Sequence, residues 1–146
     1  MSARFYEQEV SAQLKQRRAL SLFLDNMVMA RQPDIRKVQL RYIFCSDAHL
    51  HGINLQFLKH DDYTDIITFD LREQAAELVA EIYISVDRVA ENAQTFRTSY
   101  DRELHRVIFH GALHLCGLGD KSPAEQKAMR AAEDAALNAW YADKHS

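Results

Sequence analysis

The sequence predicts an α+β (mixed α/β) fold, a single domain in which a small mixed four-stranded sheet packs with about five helices. Its 146 residues suit one domain that can bury a hydrophobic core. Segments with alternating polar and apolar side chains are interspersed with segments whose apolar side chains recur at helical spacing. The chain has four glycines and two prolines, and neither a repeat nor a flexible linker divides it. We therefore expect one domain over residues 1–146.

The first half of the chain predicts two strands and two helices. Strand-like alternation occurs in residues 4–10 and 38–44, and helical spacing in residues 11–31 and 46–59. Pro33 ends the first helical pattern because proline cannot continue a helix. Ser46 is a residue type that caps helix N-termini, so the second helix is expected to begin there. Residues 60–62 predict a loop.

The second half predicts two strands and three helices. The strands are expected at residues 66–69 and 78–85, and the helices at 86–96, 101–116 and 123–141. The strand at 66–69 is the more continuously apolar, so we expect it to be central in the sheet. The helix at 101–116 is apolar almost all round, which predicts burial in the middle of the domain. Ser122 and Glu125 form a capping box with Pro123 at the first helical position.

Composition and charge exclude several classes of protein. The net charge of −3 provides no global attraction to nucleic acid or anionic lipid, so polyanion binding would need a local patch. No apolar run is long enough to cross a bilayer, and residues 1–7 lack the apolar core of a signal peptide. The two cysteines, Cys45 and Cys116, lie far apart and predict free thiols. We therefore expect a cytoplasmic protein with no membrane partner.

The segment with the most information about chemistry is HGALHLCGLGDK, at residues 110–121. His110 and His114 are four positions apart, so on a helix their imidazoles lie one turn apart and can reach one metal ion. Gly117 allows the helix to stop, and Asp120 can then return as an oxygen ligand. Three protein ligands leave a position open to water, as in catalytic zinc sites.

Two satisfied core histidines are the alternative interpretation, and three observations favour a metal. Imidazoles in a buried helix are costly to desolvate unless something engages their nitrogens. Gly111 lies inside the helix, where glycine costs about 1 kcal/mol relative to alanine, and this predicts close approach by substrate or another segment. Asp120 follows a glycine-lined turn. Cys116 could compete as third ligand, but it lies about half a turn from His114, which favours a buried free thiol.

We therefore predict a metal site on the central buried helix, with His110, His114 and Asp120 as ligands. Zn²⁺, one ion per chain, suits two imidazoles and one carboxylate, and Fe²⁺ or another divalent metal is the alternative for the same ligand set.

Three blocks of sequence resemble segments of a known family. HGALHLCG at 110–117 resembles the signature H-G-x-L-H-L-x-G, and AEIYIS at 80–85 resembles G-D-I-x-I-S. NLQFL at 54–58, followed by YTDIITF at 63–69, is similar to N-x-x-Y-R and P-T-D-V-L-S-F. Along the chain the blocks occur in the same order as in the YbeY family of bacterial metal-dependent endoribonucleases, which the sequence therefore resembles. The resemblance spans nearly the whole chain and implies a metallohydrolase domain of that type.

The resemblance also implies a function. It predicts a single-strand-specific endoribonuclease that acts in small-subunit ribosomal RNA maturation and ribosome quality control. The expected partners are single-stranded or ribosomal RNA and the ribosome or its proteins. Residues predicted to bind the RNA are Asn54, Thr64, Asp65, Arg102 and Arg106.

Two positions depart from the family pattern. The family usually ends its signature with G-Y-D-H, whose histidine is the third zinc ligand, and here Asp120 occupies that place. Leu58 stands where the family commonly has an arginine that faces the phosphate near the metal. Lys59 and Lys121 are the nearest cations that could replace it, although each also fits a solvated surface lysine. Beyond metal-bound water, no other catalytic group is identified.

Three other functional classes remain open from the sequence. A zinc peptidase would share the histidine pair, but its general base would have to be a glutamate where Gly111 stands. An iron oxygenase would share the ligand set, although such enzymes usually carry it on strands. A non-catalytic ribosome-assembly or RNA-binding factor is consistent with the absence of arginine at Leu58.

Replacing Asp120 with histidine tests the role of the carboxylate. With one carboxylate, a Zn²⁺ site has a net charge of about +1, and with three imidazoles it has about +2. The more positive site lowers the pKa of bound water further. We expect Asp120→His to retain metal and to shift the rise of activity to lower pH, measured by elemental analysis and a pH–rate profile. A shift to higher pH would contradict this reasoning.

Overall fold

The computed structural model describes residues 1–59 and 64–142 and confirms the expected α+β class. In chain order the elements are β1 (Ala3–Glu7), α1 (Arg17–Arg31), β2 (Lys37–Cys45), α2 (Asp47–Ile53), β3 (Ile66–Asp70), β4 (Glu77–Ser85), α3 (Val86–Thr95), α4 (Tyr100–Leu115) and α5 (Pro123–Ala142). A π-helical segment, Asn54–Leu58, continues α2. The loop expected at residues 60–62 lies outside the described residues. Among the described helices, none combines the length and the apolar character needed to cross a bilayer.

The four strands form one mixed sheet in the order β1-β2-β4-β3. The pairs β1–β2 and β2–β4 are parallel, and β3 runs antiparallel to β4. The two central strands carry the alternation expected of them, with Tyr42 and Phe44 of β2 fully buried. The Tyr42 hydroxyl donates a hydrogen bond of 2.9 Å to the carbonyl of Ile108, which joins the sheet to α4.

The prediction that residues 66–69 form a central strand is wrong, because β3 lies at the edge of the sheet. Its apolar side chains are covered from above and below rather than by a second neighbouring strand. Ile66 packs into the main core with α4, whereas Ile67 belongs to a smaller cluster with α2. Phe69 contacts Phe57 edge to face at 6.1 Å between ring centroids. A continuous apolar run indicates a strand whose two faces are both covered, and a strand at the edge of a sheet can also have both faces covered.

Helix α1 begins later than the apolar spacing predicts, at Arg17 rather than near residue 11. Gln13 and Gln16 have positive φ values of 54° and 57°, a left-handed conformation that a right-handed helix does not contain. The preceding segment is irregular, yet Ala12 and Leu14 are buried in the core. The apolar residues that anchor this irregular segment in the core therefore have a spacing that resembles a continuation of the helix.

The serine caps predicted from the sequence are confirmed. The side chain of Ser46 accepts a hydrogen bond from the backbone N–H of His49 at the start of α2. At α5, the Ser122 N–H donates to Glu125 Oε1 at 3.0 Å and the Glu125 N–H donates to Ser122 Oγ at 3.1 Å. This reciprocal pair is the capping box, and it sets the direction in which α5 leaves the preceding turn.

Helix α4 lies against the sheet at Gly111. A methyl group at this position would lie 3.0 Å from Ile66 Cδ1 and 3.1 Å from Ile82 Cγ2. A side chain at this position would therefore require Ile66 and Ile82 to move by a few tenths of an ångström, whereas glycine allows the close approach without a shift. The close approach expected at Gly111 is made by the sheet.

We expect Gly111→Val to lower the free energy of unfolding by about 1–3 kcal/mol, because the added methyl groups overpack the helix–sheet contact. Gly52 of α2 is the matched control, since it is helical and exposed and has no neighbouring atom within 4 Å of an added Cβ. Gly52→Val should change stability by less than about 0.5 kcal/mol. Urea unfolding measures both variants, and equal effects would show that the contact is not tight.

Candidate metal centre

The C-terminus of α4 folds the chain back on itself. Gly117 has φ = 104°, a left-handed conformation that glycine adopts without strain. The Gly117 N–H donates to the carbonyl of His114 at 3.0 Å, and the Leu118 N–H donates to that of Leu113 at 3.2 Å. These two bonds form a Schellman motif, the usual way of closing a helix with glycine. The reversal directs the following residues toward the last turn of α4.

That reversal engages both histidines of α4. His114 Nδ1 lies 3.1 Å from the carbonyl oxygen of Leu118, an atom that can only accept, so Nδ1 carries the proton. Asp120 Oδ2 lies 3.4 Å from Nε2 of His110. The structure therefore brings the predicted ligands His110 and Asp120 together, with His114 one helical turn away.

A buried carboxylate from α5 holds His110 from the other side. Glu133 Oε2 lies 2.7 Å from His110 Nδ1, and the Glu133 side chain is only 7% exposed. Arg106 Nη1 donates to Glu133 Oε1 at 3.1 Å and also lies 3.0 Å from Asp134 Oδ1. A further carboxylate, Glu103, lies 3.7 Å from Arg106 Nε. The guanidinium of Arg106 is thus surrounded by acidic groups, and its pairing keeps Glu133 in place.

The surroundings of His110 favour positive charge on its ring. Burial lowers the pKa of His110, but the hydrogen bond to Glu133 and the charges of Glu133, Asp65 and Asp120 outweigh it, so the pKa is raised. The pKa of Asp65 is raised, mainly because burial disfavours its charged form. The negative charges that stabilise a protonated His110 ring also attract a metal cation to its Nε2, because Nδ1 already contacts Glu133.

The donor chemistry of His110, His114 and Asp120 fits a divalent cation. In both imidazoles Nδ1 faces an oxygen, which leaves the lone pair of Nε2 for a ligand, as second-shell oxygens do in metal sites. The two rings are parallel, with centroids 6.5 Å apart, so they do not converge on one point. Within residues 1–59 and 64–142, no three His, Cys, Asp or Glu side chains form a group arranged to hold an ion. The metal ligands therefore remain a prediction.

His110 lies in an open pocket of about 730 Å³. Four residues predicted from the sequence to bind metal or RNA line it beside His110: Thr64, Asp65, Arg106 and Asp120. Asp65, the residue before β3, accepts a hydrogen bond of 3.4 Å from the side-chain amide of Asn92. This bond connects the start of β3 to α3. Met129 of α5 is buried and also lines the pocket.

Other predicted residues are not among the described residues that line this pocket. Asn54 is buried where α2 joins the π-helical segment, and Arg102 lies over the ring of Tyr141, 5.6 Å from its centroid. Lys59 and Lys121 are exposed outside the pocket.

The alternative sulfur ligand, Cys116, is also absent from the described lining of the pocket. It is a buried free thiol, as the sequence predicted. Burial raises the pKa of Cys116, which disfavours the thiolate that a metal would bind.

Among the pocket residues that the sequence did not predict are Phe96, Lys127, Arg130 and Glu133. One of them left a signal, because Glu133 lies four positions after Met129 and seven before Trp140, on the buried stripe of α5. A carboxylate on an apolar stripe requires a buried partner. The other three carry no local signal of their position.

Comparisons with known proteins agree with the motifs. Residues 4–141 match the family model described as Endoribonuclease YbeY. A Cytophaga hutchinsonii protein named Endoribonuclease YbeY is 44% identical over 134 residues, which cover 92% of each chain. A protein of the same name from Parabacteroides distasonis is 40% identical over 137 residues, or 94% of each chain.

A solved structure has the same overall fold. The solution structure of TM1509 from Thermotoga maritima matches with a TM-score of 0.63 at 25% sequence identity. The match covers 97% of this chain and 93% of that chain.

Proposed function

This chain belongs to the YbeY family of endoribonucleases, and on that premise we propose that it cuts single-stranded ribosomal RNA with one divalent metal ion. The proposed ion is Zn²⁺, with Fe²⁺ as the alternative, held by His110, His114 and Asp120. The observation that carries the proposal is the environment of His110. Its Nδ1 contacts a buried carboxylate at 2.7 Å, while its Nε2 lies 3.4 Å from Asp120 in an open pocket.

Each side chain has a separate task in this proposal. Glu133 accepts the Nδ1 proton of His110 and so keeps the Nε2 lone pair toward the pocket. The Leu118 carbonyl accepts the Nδ1 proton of His114 and leaves its Nε2 lone pair free, although His114 is exposed and is not among the described residues that line the pocket. A divalent cation held by these residues would supply Lewis-acid polarisation of a phosphate oxygen and would lower the pKa of a bound water toward neutral. Asp65, in the same pocket, is a half-buried carboxyl whose raised pKa suits proton exchange with substrate.

The packing of Gly111 argues against a peptidase. A helical zinc peptidase carries its general base one residue after the first histidine. Here that position faces Ile66 and Ile82 of the sheet at 3.0–3.1 Å from an added Cβ. A glutamate there would point into the core instead of the pocket, so the fold has no room for that mechanism.

The biological setting of the proposal comes from the family. The substrate is ribosomal RNA, the setting is ribosome maturation and ribosome quality control in the cytoplasm, and ribosomal proteins are the expected partners. A ribosome-assembly factor without nuclease activity would bind the same RNA. Cleavage therefore has to be measured directly.

We expect His114→Ala to lose bound metal and RNA cleavage together, because it removes one of two imidazole ligands. The measurements are elemental analysis and cleavage of a labelled single-stranded RNA. His49→Ala, a histidine on α2 outside the pocket, is the control and should retain both. Cleavage by a metal-free variant at the wild-type rate would reject the mechanism. Metal-independent RNA binding without cleavage by the wild type would indicate an assembly factor.

We expect Glu133→Gln to weaken metal affinity by about 10- to 100-fold, the usual effect of losing a charged oxygen behind a histidine ligand. Asp134→Asn is the matched control, since Asp134 also contacts Arg106 Nη1 but no contact to His110 is found for it. Competition with a chromogenic chelator measures affinity, and thermal unfolding verifies that both variants fold. Equal affinities of the two variants would exclude a positioning role for Glu133.

A further inference from the structure

The pocket around His110 is acidic, which is a difficulty for any enzyme that binds RNA. Four carboxylates line it: Asp65, Glu103, Asp120 and Glu133. A phosphate that approaches them is repelled unless cations lie close by. Arg106 cannot fill this need, because Glu133 and Asp134 already occupy its guanidinium and only 18% of its side chain is exposed.

We propose that Lys127 and Arg130 of α5 bind the RNA phosphates beside the site, and that Phe96 at the end of α3 stacks on a base. This inference rests on the proposed function. It assigns the cation that is missing at Leu58 to a different element of the fold.

Lys127 and Arg130 have the placement that phosphate binding requires. Both line the same pocket as His110, and among its described lining residues Arg106 is the only other lysine or arginine. They are three positions apart on α5, so their Cβ atoms lie about 5–6 Å apart on one helix face. The Arg130 side chain is 55% exposed, and its 3.5 Å contact with Glu133 uses only one of its five N–H donors.

Phe96 has the placement that base stacking requires. It follows the last residue of α3, is 57% exposed and lines the same pocket. Exposed aromatic rings beside a basic strip are the usual platform for single-stranded RNA, because every base has a face that can stack.

Leu58 explains why the cations on α5 are needed. It is exposed in the π-helical segment and does not line the pocket. A charged residue at this position would therefore lie outside the described lining of the pocket, whereas Lys127 and Arg130 already line it together with His110. In this chain the positive charges that bind phosphate therefore come from α5, the helix that also supplies Glu133, and not from position 58.

The first experiment measures how salt weakens RNA binding. A fluorescein-labelled single-stranded oligoribonucleotide is titrated over a series of salt concentrations with the His114→Ala protein, which is expected from the proposed function not to cut it. Lys127→Ala/Arg130→Ala should reduce the slope of log K against log salt by about 1.4, since each phosphate contact to a single strand contributes about 0.7. The charge-retaining pair Lys127→Arg/Arg130→Lys should keep the slope.

Lys15→Ala/Arg18→Ala is the matched control for charge. It removes the same net charge from two exposed residues that are also three positions apart, and neither of them lines the pocket. This control should leave the slope as it is. Equal slopes for the two alanine pairs would overturn the assignment of Lys127 and Arg130.

The second experiment tests stacking. Phe96→Ala should weaken binding at least about fivefold at every salt concentration without changing the slope, because stacking is not ionic. Phe96→Trp should retain the affinity. Phe57→Ala, an exposed phenylalanine outside the described pocket lining, is the control. Loss of affinity in both alanine variants, or in neither, would reject Phe96 as the platform.

The two levels of the proposal fail differently. A wild-type protein that neither binds nor cuts single-stranded RNA rejects the proposed function itself. A wild-type protein that cuts RNA while Lys127→Ala/Arg130→Ala binds with an unchanged slope rejects only the α5 phosphate site.

Discussion

The contact between α4 and the sheet at Gly111 is the constraint on which the rest of the structure depends. It sets the helix so close to Ile66 and Ile82 that a side chain at Gly111 would force these isoleucines to shift. His110, the neighbouring residue, then faces the pocket because Gly111 faces the sheet. Consecutive residues of a helix point about 100° apart, so the packing of one fixes the direction of the next. A stability requirement and a site requirement therefore meet in two adjacent residues.

The two histidines of α4 are held by polar groups from two other parts of the chain. The Schellman turn at Gly117 returns Leu118 and Asp120 to α4, and α5 contributes Glu133 from behind. Buried ion pairs contribute little net stability, because desolvation offsets most of their attraction. The cluster around Arg106 is therefore better understood as a device for orienting His110 than as a source of stability. That interpretation gives a physical reason for a half-buried arginine among carboxylates.

The acidic character of the pocket also bears on how the chain meets RNA. Its overall charge of −3 provides no long-range attraction to a polyanion. Attraction must then be local. Helix α5 both orients the histidine of the site and provides positive charge for RNA. Its buried face orients a histidine through Glu133, and its exposed face presents Lys127 and Arg130 to the same pocket.

Local signals in the sequence determined much of the architecture. The alternation of β2 and β4, the capping serines, the capping box of α5 and the helix stop at Gly117 each depend on neighbours within a few residues. The histidine pair on α4 was readable for the same reason. The family followed from three ordered motifs, which the matches to known proteins confirm.

Tertiary structure alone decided what depends on segments far apart in the chain. The edge position of β3 follows from which strands pair. The late start of α1 follows from the left-handed conformations of Gln13 and Gln16, in a segment whose apolar residues pack into the core. Glu133 reaches His110 across 23 positions, and Lys127, Arg130 and Phe96 share one pocket only because α3, α4 and α5 pack together. The sequence specifies the chemistry of each side chain, but packing sets the distances between residues that are remote in the chain. Because electrostatic interactions weaken with distance, those distances decide which charges interact.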